Sequence, residues 1–277
     1  MKERGAEMPR VPVSDQDKQK SYYKYYLRPM AEPPAERMAA IGERPGDARD
    51  ALRIQDRNRL FEPGDLPGRF GWWRFEDGTA MIANRTLFPN VTGEMFDWWF
   101  AWHPIDRLRY AIWDPEDHFD VYLEDKAHTL DFSLTVRERH WGSVHHIWED
   151  IGLGSVDLLR LDFKRPSELG YDESKMDTEF CNALVCANGR TLGSSERPDM
   201  PVVMTHFLRP TAGGSELRSC FWFGWQIEDG EPVKKIPDGF SIPKEPPIEL
   251  LKHNVVEYTN LAAILPYLYM EEKDNWI

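Results

Sequence analysis

The chain has 277 residues, 41% of them hydrophobic, which suffices to bury a sizeable core in one large domain or a domain with an appendage. Its net charge of −13 argues against a nucleic-acid surface, which needs clustered Lys and Arg, and no apolar run reaches the ~18 residues that span a membrane. Three cysteines, Cys181, Cys186 and Cys220, lie in apolar strand-like settings and read as buried reduced thiols of a cytoplasmic protein. Met1 to Glu7 holds no apolar stretch that would serve as a signal peptide.

Residues 1–67 are polar and rich in Arg, Pro and acidic side chains, with short helices expected in Ser21–Tyr26 and within Ala35–Arg59. This segment is expected to be ordered by packing on another subunit. Residues 68–277 have the texture of a folded domain. Gly71–Phe75 and Thr79–Asn84, joined by Glu76-Asp-Gly78, read as a hairpin. Thr92 is placed as the N-cap of a helix from Gly93 to Trp102, which His103-Pro104 ends. Strand-like runs follow at Arg109–Trp113, Asp120–Leu123, Leu130–Arg139, Ser143–Ile151, Ser155–Lys164, Asp177–Ala187, Val202–Leu208 and Glu216–Gln226. Gly152-Leu-Gly154 and Ala212-Gly-Gly214 are natural hairpin turns. From Ile248 to Met270, Leu250, Leu261, Ile264 and Leu268 recur at helical spacing.

Consecutive strands linked by short turns make an antiparallel sheet, and one long amphipathic helix closes the chain. The expected fold is α+β: a helix grip, in which a curved sheet covers the C-terminal helix and leaves a cavity between them. Eleven Trp, ten Tyr and fourteen Phe supply a large aromatic core, and a cavity for a flat aromatic ligand draws on the same residue types. A non-enzymatic carrier of a hydrophobic ligand is therefore one reading.

Steps of three and four from Leu250 pass through His253 and Glu257 before reaching Leu261, so both polar side chains lie on the core-facing stripe. An unpaired charge there is expensive. Either a helical hydrogen bond between the two or a bound cation compensates it. Strand alternation puts Glu149 with Ile147 and Ile151, His206 with Met204 and Leu208, and Tyr110 between Leu108 and Ile112. His118 follows in a turn leading into the next strand. His118, Glu149, His253 and Glu257 together make a two-His, two-carboxylate set that suits zinc, and manganese or iron(II) accepts the same ligands. His103, His140, His145 and His146 compete for the same role.

Two runs, Met95-Phe-Asp-Trp-Trp-Phe-Ala-Trp-His103 and Arg109-Tyr-Ala-Ile-Trp-Asp-Pro-Glu-Asp-His118, resemble the 2,4-diacetylphloroglucinol hydrolase and phloretin hydrolase family, as does His253-x-x-x-Glu257. In that family a His lies eight residues after a Tyr, a Glu lies thirty-one after the His, and an H-x-x-x-E pair sits near the C-terminus. Tyr110, His118, Glu149, His253 and Glu257 stand at these spacings. The resemblance covers roughly residues 68–277. It implies a Bet v 1-like domain there, a small N-terminal segment used in forming a homodimer or higher homo-oligomer, and a zinc ion held by His118, Glu149, His253 and Glu257. It also implies that Tyr110 and His206 touch the substrate and act in catalysis, with His206 expected to titrate near neutral pH. The implied reaction is hydrolysis of the carbon–carbon bond between a phenolic ring and its acyl carbonyl, so the partner is a small aromatic ketone. Val121 and Phe221-Trp-Phe223 stand where the family carries further polar pocket residues, which leaves the natural substrate open. A metal-dependent hydratase or cyclase is the other enzymatic reading.

Overall fold

A computed structural model describes residues 10–192 and 199–277; the first nine residues of the predicted N-terminal segment, with the stretch read for a signal peptide, lie outside the described residues. Two short helices, α1 (Tyr23–Leu27) and α2 (Ala35–Ala40), and a 3-10 stretch at Ile54–Phe61 precede the sheet. The hairpin of β1 (Gly71–Arg74) and β2 (Ala80–Pro89) leads into α3 (Gly93–Trp102). The Thr92 hydroxyl accepts from the Met95 N–H at 3.3 Å and caps that helix, as its sequence predicts. There follow α4 (Arg107–Ala111), β3 (His118–Leu123), α5 (Lys126–Thr129), α6 (Val136–His140), β4 (Val144–Glu149) and β5 (Asp157–Lys164). The chain continues through β6 (Ala183–Thr191), β7 (Met200–Thr211), β8 (Gly214–Phe223), β9 (Trp225–Glu228) and β10 (Glu231–Lys234), and ends on the long helix α7 (Glu245–Glu272).

Eight strands form one antiparallel sheet in the order β1-β2-β8-β7-β6-β5-β4-β3, with β9 and β10 pairing separately. Helix α7 lies over β1 and β2 and against α3. One face of the sheet, with Ile82, Val185, Met204 and Leu217, packs with Leu251, Leu261 and Leu265 of α7 in a single core. The opposite face, with Met81, Leu184, Val203 and Trp222, is covered by Leu52, Ile54, Leu60 and Phe61 from before the sheet. Val11, Tyr22, Tyr25 and Tyr26 join the main core as well. With both faces covered, the five residues from Ala183 to Ala187 are all buried, which is why their sequence reads as a continuous apolar run. The architecture is the α+β helix grip expected from the sequence.

Four predicted strands are corrected. Arg109–Trp113 falls largely in α4, because the Asp106 side chain caps the Leu108 N–H at 2.9 Å and starts a helix of five residues. One helical turn is too short for its period to separate from strand alternation. Leu130–Arg139 is not a strand: Thr135 and Glu138 close a reciprocal capping box that opens α6. In Asp177–Ala187 the strand starts only at Ala183, since Asp177 takes a left-handed φ of 58° and Thr178 and Cys181 close a turn. Glu216–Gln226 is broken at Gly224, whose φ of 89° redirects the chain from β8 into β9.

Candidate metal centre and catalytic pocket

His118 opens β3 and is directly paired with Glu149 on β4, so the antiparallel register sets the two side chains side by side. Helix α7 brings His253 and Glu257, four residues apart, onto the same spot. His118 Nε2 lies 3.2 Å from His253 Nε2, 3.6 Å from Glu257 Oε2 and 3.7 Å from Glu149 Oε2. His253 Nε2 and Glu257 Oε2 are 4.0 Å apart. Donor atoms of His118, His253 and Glu257 all lie within 4.8 Å of one another, and Glu149 borders this trio, its Oε2 held by the Tyr110 hydroxyl at 2.5 Å. Four donors at about 2.0–2.2 Å from a tetrahedral zinc stand roughly 3.3–3.6 Å apart, close to the observed edges.

The protonation pattern fits a cation. His118 Nδ1 sits 3.3 Å from the Tyr110 carbonyl oxygen, which can only accept, so the proton is on Nδ1 and Nε2 is a bare lone pair. His253 Nδ1 points towards Asp117 Oδ2 at 3.7 Å, an acceptor that likewise favours a proton on Nδ1. His118 Nε2 and His253 Nε2 stand 3.2 Å apart with two buried carboxylates beside them, an arrangement that calls for positive charge, which a proton on His253 or a bound cation supplies. Burial, reinforced by His253, holds the His118 imidazole well below its ordinary range. Burial also raises the carboxyls of Glu257 and Glu149. For His253, burial works downwards, but Asp117, Glu257, Glu149 and Asp114 outweigh it and push the ring up to about 10. The residues present therefore fit a divalent metal. Asp114 and Asp117 form a second acidic group with His253, and burial raises Asp114 to about 6. The sequence reading missed this pair, although both flank the Pro115-Glu116 turn directly before His118.

A hydrogen-bonded chain backs the centre. Glu257 Oε1 accepts from Asn254 Nδ2 at 3.0 Å, Asn254 Oδ1 from Asn84 Nδ2 at 2.9 Å, and Asn84 Oδ1 from Arg37 Nη2 at 2.8 Å. These bonds leave Glu257 Oε2 facing the histidines.

Between sheet and helix lies a cavity of about 60 Å³, walled by Phe100, Phe163, Met204 and Phe221 and bordered by Tyr110, Glu149, His253 and Glu257. Tyr110, predicted on a strand, is on α4 and still buried at the cavity, its ring stacked on His118 at 4.1 Å. His206 borders the cavity from β7, with Nδ1 2.9 Å from Ser219 Oγ and Nε2 2.8 Å from the Tyr258 hydroxyl. Burial lowers His206 to about 3, which corrects the expectation of titration near neutrality. Of the competing histidines, His140 pairs with Asp97 and His146 with Glu124, both away from the donors. His103 and His145 wall the cavity without joining the donor cluster. Tyr258 went unread, though it directly follows Glu257 in the sequence.

A curved sheet gripping a helix over an internal cavity with four converging metal-type donors defines a pocket enzyme rather than a surface-binding module. Residues 52–270 match the family described as DAPG hydrolase PhiG domain, and the chain belongs to that family. Membership makes it a hydrolase acting on carbon–carbon bonds. Phloretin hydrolase of Eubacterium ramulus is 42% identical over 270 residues, covering 96% of each chain. A 2,4-diacetylphloroglucinol hydrolase of a Pseudomonas species is 30% identical over 272 residues, covering 91% of this chain and 88% of that one. Among solved structures, Ara h 8.0201 aligns over 68% of this chain and 98% of its own, with 11% identity and a TM-score of 0.40. That score is too low to bear on function, and the architecture stands on the strand order and helix packing described above. No helix among the described residues is long and apolar enough to cross a membrane.

Proposed function

We propose that the protein is a zinc-dependent hydrolase that cleaves the carbon–carbon bond between a phloroglucinol-type phenolic ring and its acyl carbonyl, releasing a phenol and a carboxylic acid. The observation that carries this reading is the convergence of His118, Glu149, His253 and Glu257, all buried and with their donor atoms close together, on a cavity of aromatic walls. The 42% identity to a phloretin hydrolase supports the substrate class.

Hydrolysis adds a hydroxyl to the acyl carbon and a proton to the ring carbon as the bond between them breaks. An aryl carbanion leaves poorly, so the ring carbon must take its proton first, by ketonisation of the phenol. When the bond to the acyl carbon breaks, its electron pair passes to the ketone oxygen, and the departing phenolate takes there the proton released by the attacking water. Zinc, when bound, polarises an oxygen and lowers the pKa of water to about 7. The two histidines and two glutamates would hold it, with Asn254 orienting Glu257. Tyr110 Oη, 2.5 Å from Glu149 Oε2, is placed to pass a proton between the substrate and that carboxylate. His206, neutral and engaged at both nitrogens, would fix the Tyr258 hydroxyl at the cavity wall. The aromatic walls exclude bulk water.

The proposal includes a cytoplasmic homo-oligomer. The three free, buried cysteines support a reducing compartment, and sedimentation of the purified protein tests the assembly. The catalytic test is incubation with phloretin or an acylphloroglucinol. Equal amounts of phenol and carboxylic acid are expected, and a folded His253→Ala variant should lose both metal and turnover. A His253→Ala protein that kept both would refute the reading, and so would a single hydrated or cyclised product.

A further inference from the structure

Two histidines at the cavity have no role in the metal centre. His103 Nδ1 lies 2.8 Å from the Trp99 carbonyl oxygen, an acceptor only, so Nδ1 carries the proton and Nε2 is bare. Ser143 Oγ donates its one proton to the His140 carbonyl at 2.7 Å. His145 Nε2, 3.0 Å from that same Oγ, must therefore donate to it, which leaves His145 Nδ1 bare. Among the described residues neither bare nitrogen has a hydrogen-bond partner, and neither is among the side-chain atoms sealed from any space without one. Both rings line the cavity. Their centroids are 5.9 Å apart at 79°, and His103 lies 6.0 Å from the Tyr110 ring, which in turn stacks on His118 at 4.1 Å. The pair is thus one aromatic ring removed from the metal donors. His206, by contrast, spends both of its nitrogens on Ser219 and Tyr258.

Resting on the function proposed above, we propose that His103 Nε2 and His145 Nδ1 are the acceptors that recognise two free hydroxyls on the ring of a polyhydroxylated phenolic substrate, and so determine specificity. Each acceptor is fixed by a hydrogen bond on the far side of its imidazole, so neither tautomer can switch without breaking a buried bond. Burial keeps both rings neutral, pushing His103 to about 3 and His145 well below its ordinary range. A neutral acceptor pair favours neutral phenols, which can donate, over phenolates and methyl ethers, which cannot. An unmet buried acceptor makes the discrimination steep.

The test compares wild type with His103→Leu, His103→Gln, His145→Leu and His145→Gln, using an acyl-trihydroxybenzene and its O-methylated analogues. KM for the free polyphenol should rise about tenfold in each leucine variant, with a smaller change in kcat and zinc content unaltered. For the analogue methylated at the recognised hydroxyl, the same substitution should change KM by no more than about twofold, and glutamine, which restores an acceptor, should recover part of the loss. Equal losses on free and methylated ketones, or no loss on either, would overturn the inference. Phloroglucinol, which has no bond to cleave, separates the two proposals by calorimetry. Wild type should bind it about tenfold more tightly than the leucine variants do. That discrimination without turnover of any ketone would sink the proposed reaction and leave the recognition pair standing; wild type failing to bind phloroglucinol would sink the pair.

Discussion

Replacing Asn254 by leucine would strike the metal centre without touching a donor. Asn254 is fully buried, donates to Glu257 Oε1 at 3.0 Å and accepts from Asn84 Nδ2 at 2.9 Å. Leucine fills nearly the same space but satisfies neither group, so one carboxylate oxygen and one amide N–H are left buried and unpaired. At about 1–3 kcal/mol for each orphaned group, the folded state should lose roughly 2–6 kcal/mol. Glu257 would also be free to turn its Oε2 away from His118 and His253, and losing an orienting partner of this kind typically lowers metal affinity by about 10–100-fold. Urea unfolding of the metal-free protein reads the first effect, and zinc competition against a chromogenic chelator reads the second. Asn84→Ala, one bond further from the donors, should weaken zinc binding less, and the double substitution should fall short of the sum of the singles because the two side chains share one chain of bonds. Arg37, which holds Asn84, ties the segment before the sheet into the same network. An Asn254→Leu protein with unchanged zinc affinity would refute the claim that this chain positions Glu257.

Three further outcomes are expected. Tyr110→Phe should retain zinc and lose about 10²–10⁴-fold in kcat if the hydroxyl 2.5 Å from Glu149 carries the proton as proposed; retained turnover would reassign that step. His206 is held neutral in the fold at about 3 against 6.5 unfolded, so its contribution is complete above pH 6.5 and drains as pH falls towards 3, by up to about 1.4 kcal/mol per pH unit. His206→Phe should therefore lose stability less steeply than wild type between these limits in chemical denaturation, and parallel slopes would contradict the assignment. Ile54→Ala, which opens a gap between the N-terminal stretch and the outer sheet face, should cost about 2–4 kcal/mol and lower Tm by several degrees; an unchanged Tm would mean that this layer is not part of the domain core.

Much of the site was legible because it sits on regular elements. The helical spacing that put His253 and Glu257 on the buried stripe of α7, and the alternation that turned Glu149 inwards on β4, survive folding because period and burial agree. Tyr110 reached its place by another route, since a capped single turn carries too few residues to reveal its period. The capping box at Thr135-Val-Arg-Glu138 is a signal visible in the sequence that marks a helix start inside the stretch read as a strand. What no spacing could give is the pairing across the fold: Asn84 with Asn254, Tyr258 with His206, and His145 with Ser143 depend on contacts between residues far apart in sequence or on which proton a hydroxyl has already spent. The lowered titration of His206 was likewise invisible, because desolvation follows from the finished packing.

The central claim is that His118, Glu149, His253 and Glu257 hold a catalytic zinc ion, and elemental analysis of the purified protein alongside turnover of phloretin tests it most directly. The account predicts one zinc per chain, loss of turnover when it is stripped, and its return when zinc is restored to wild type but not to His253→Ala. A fully active protein carrying no stoichiometric metal would contradict it.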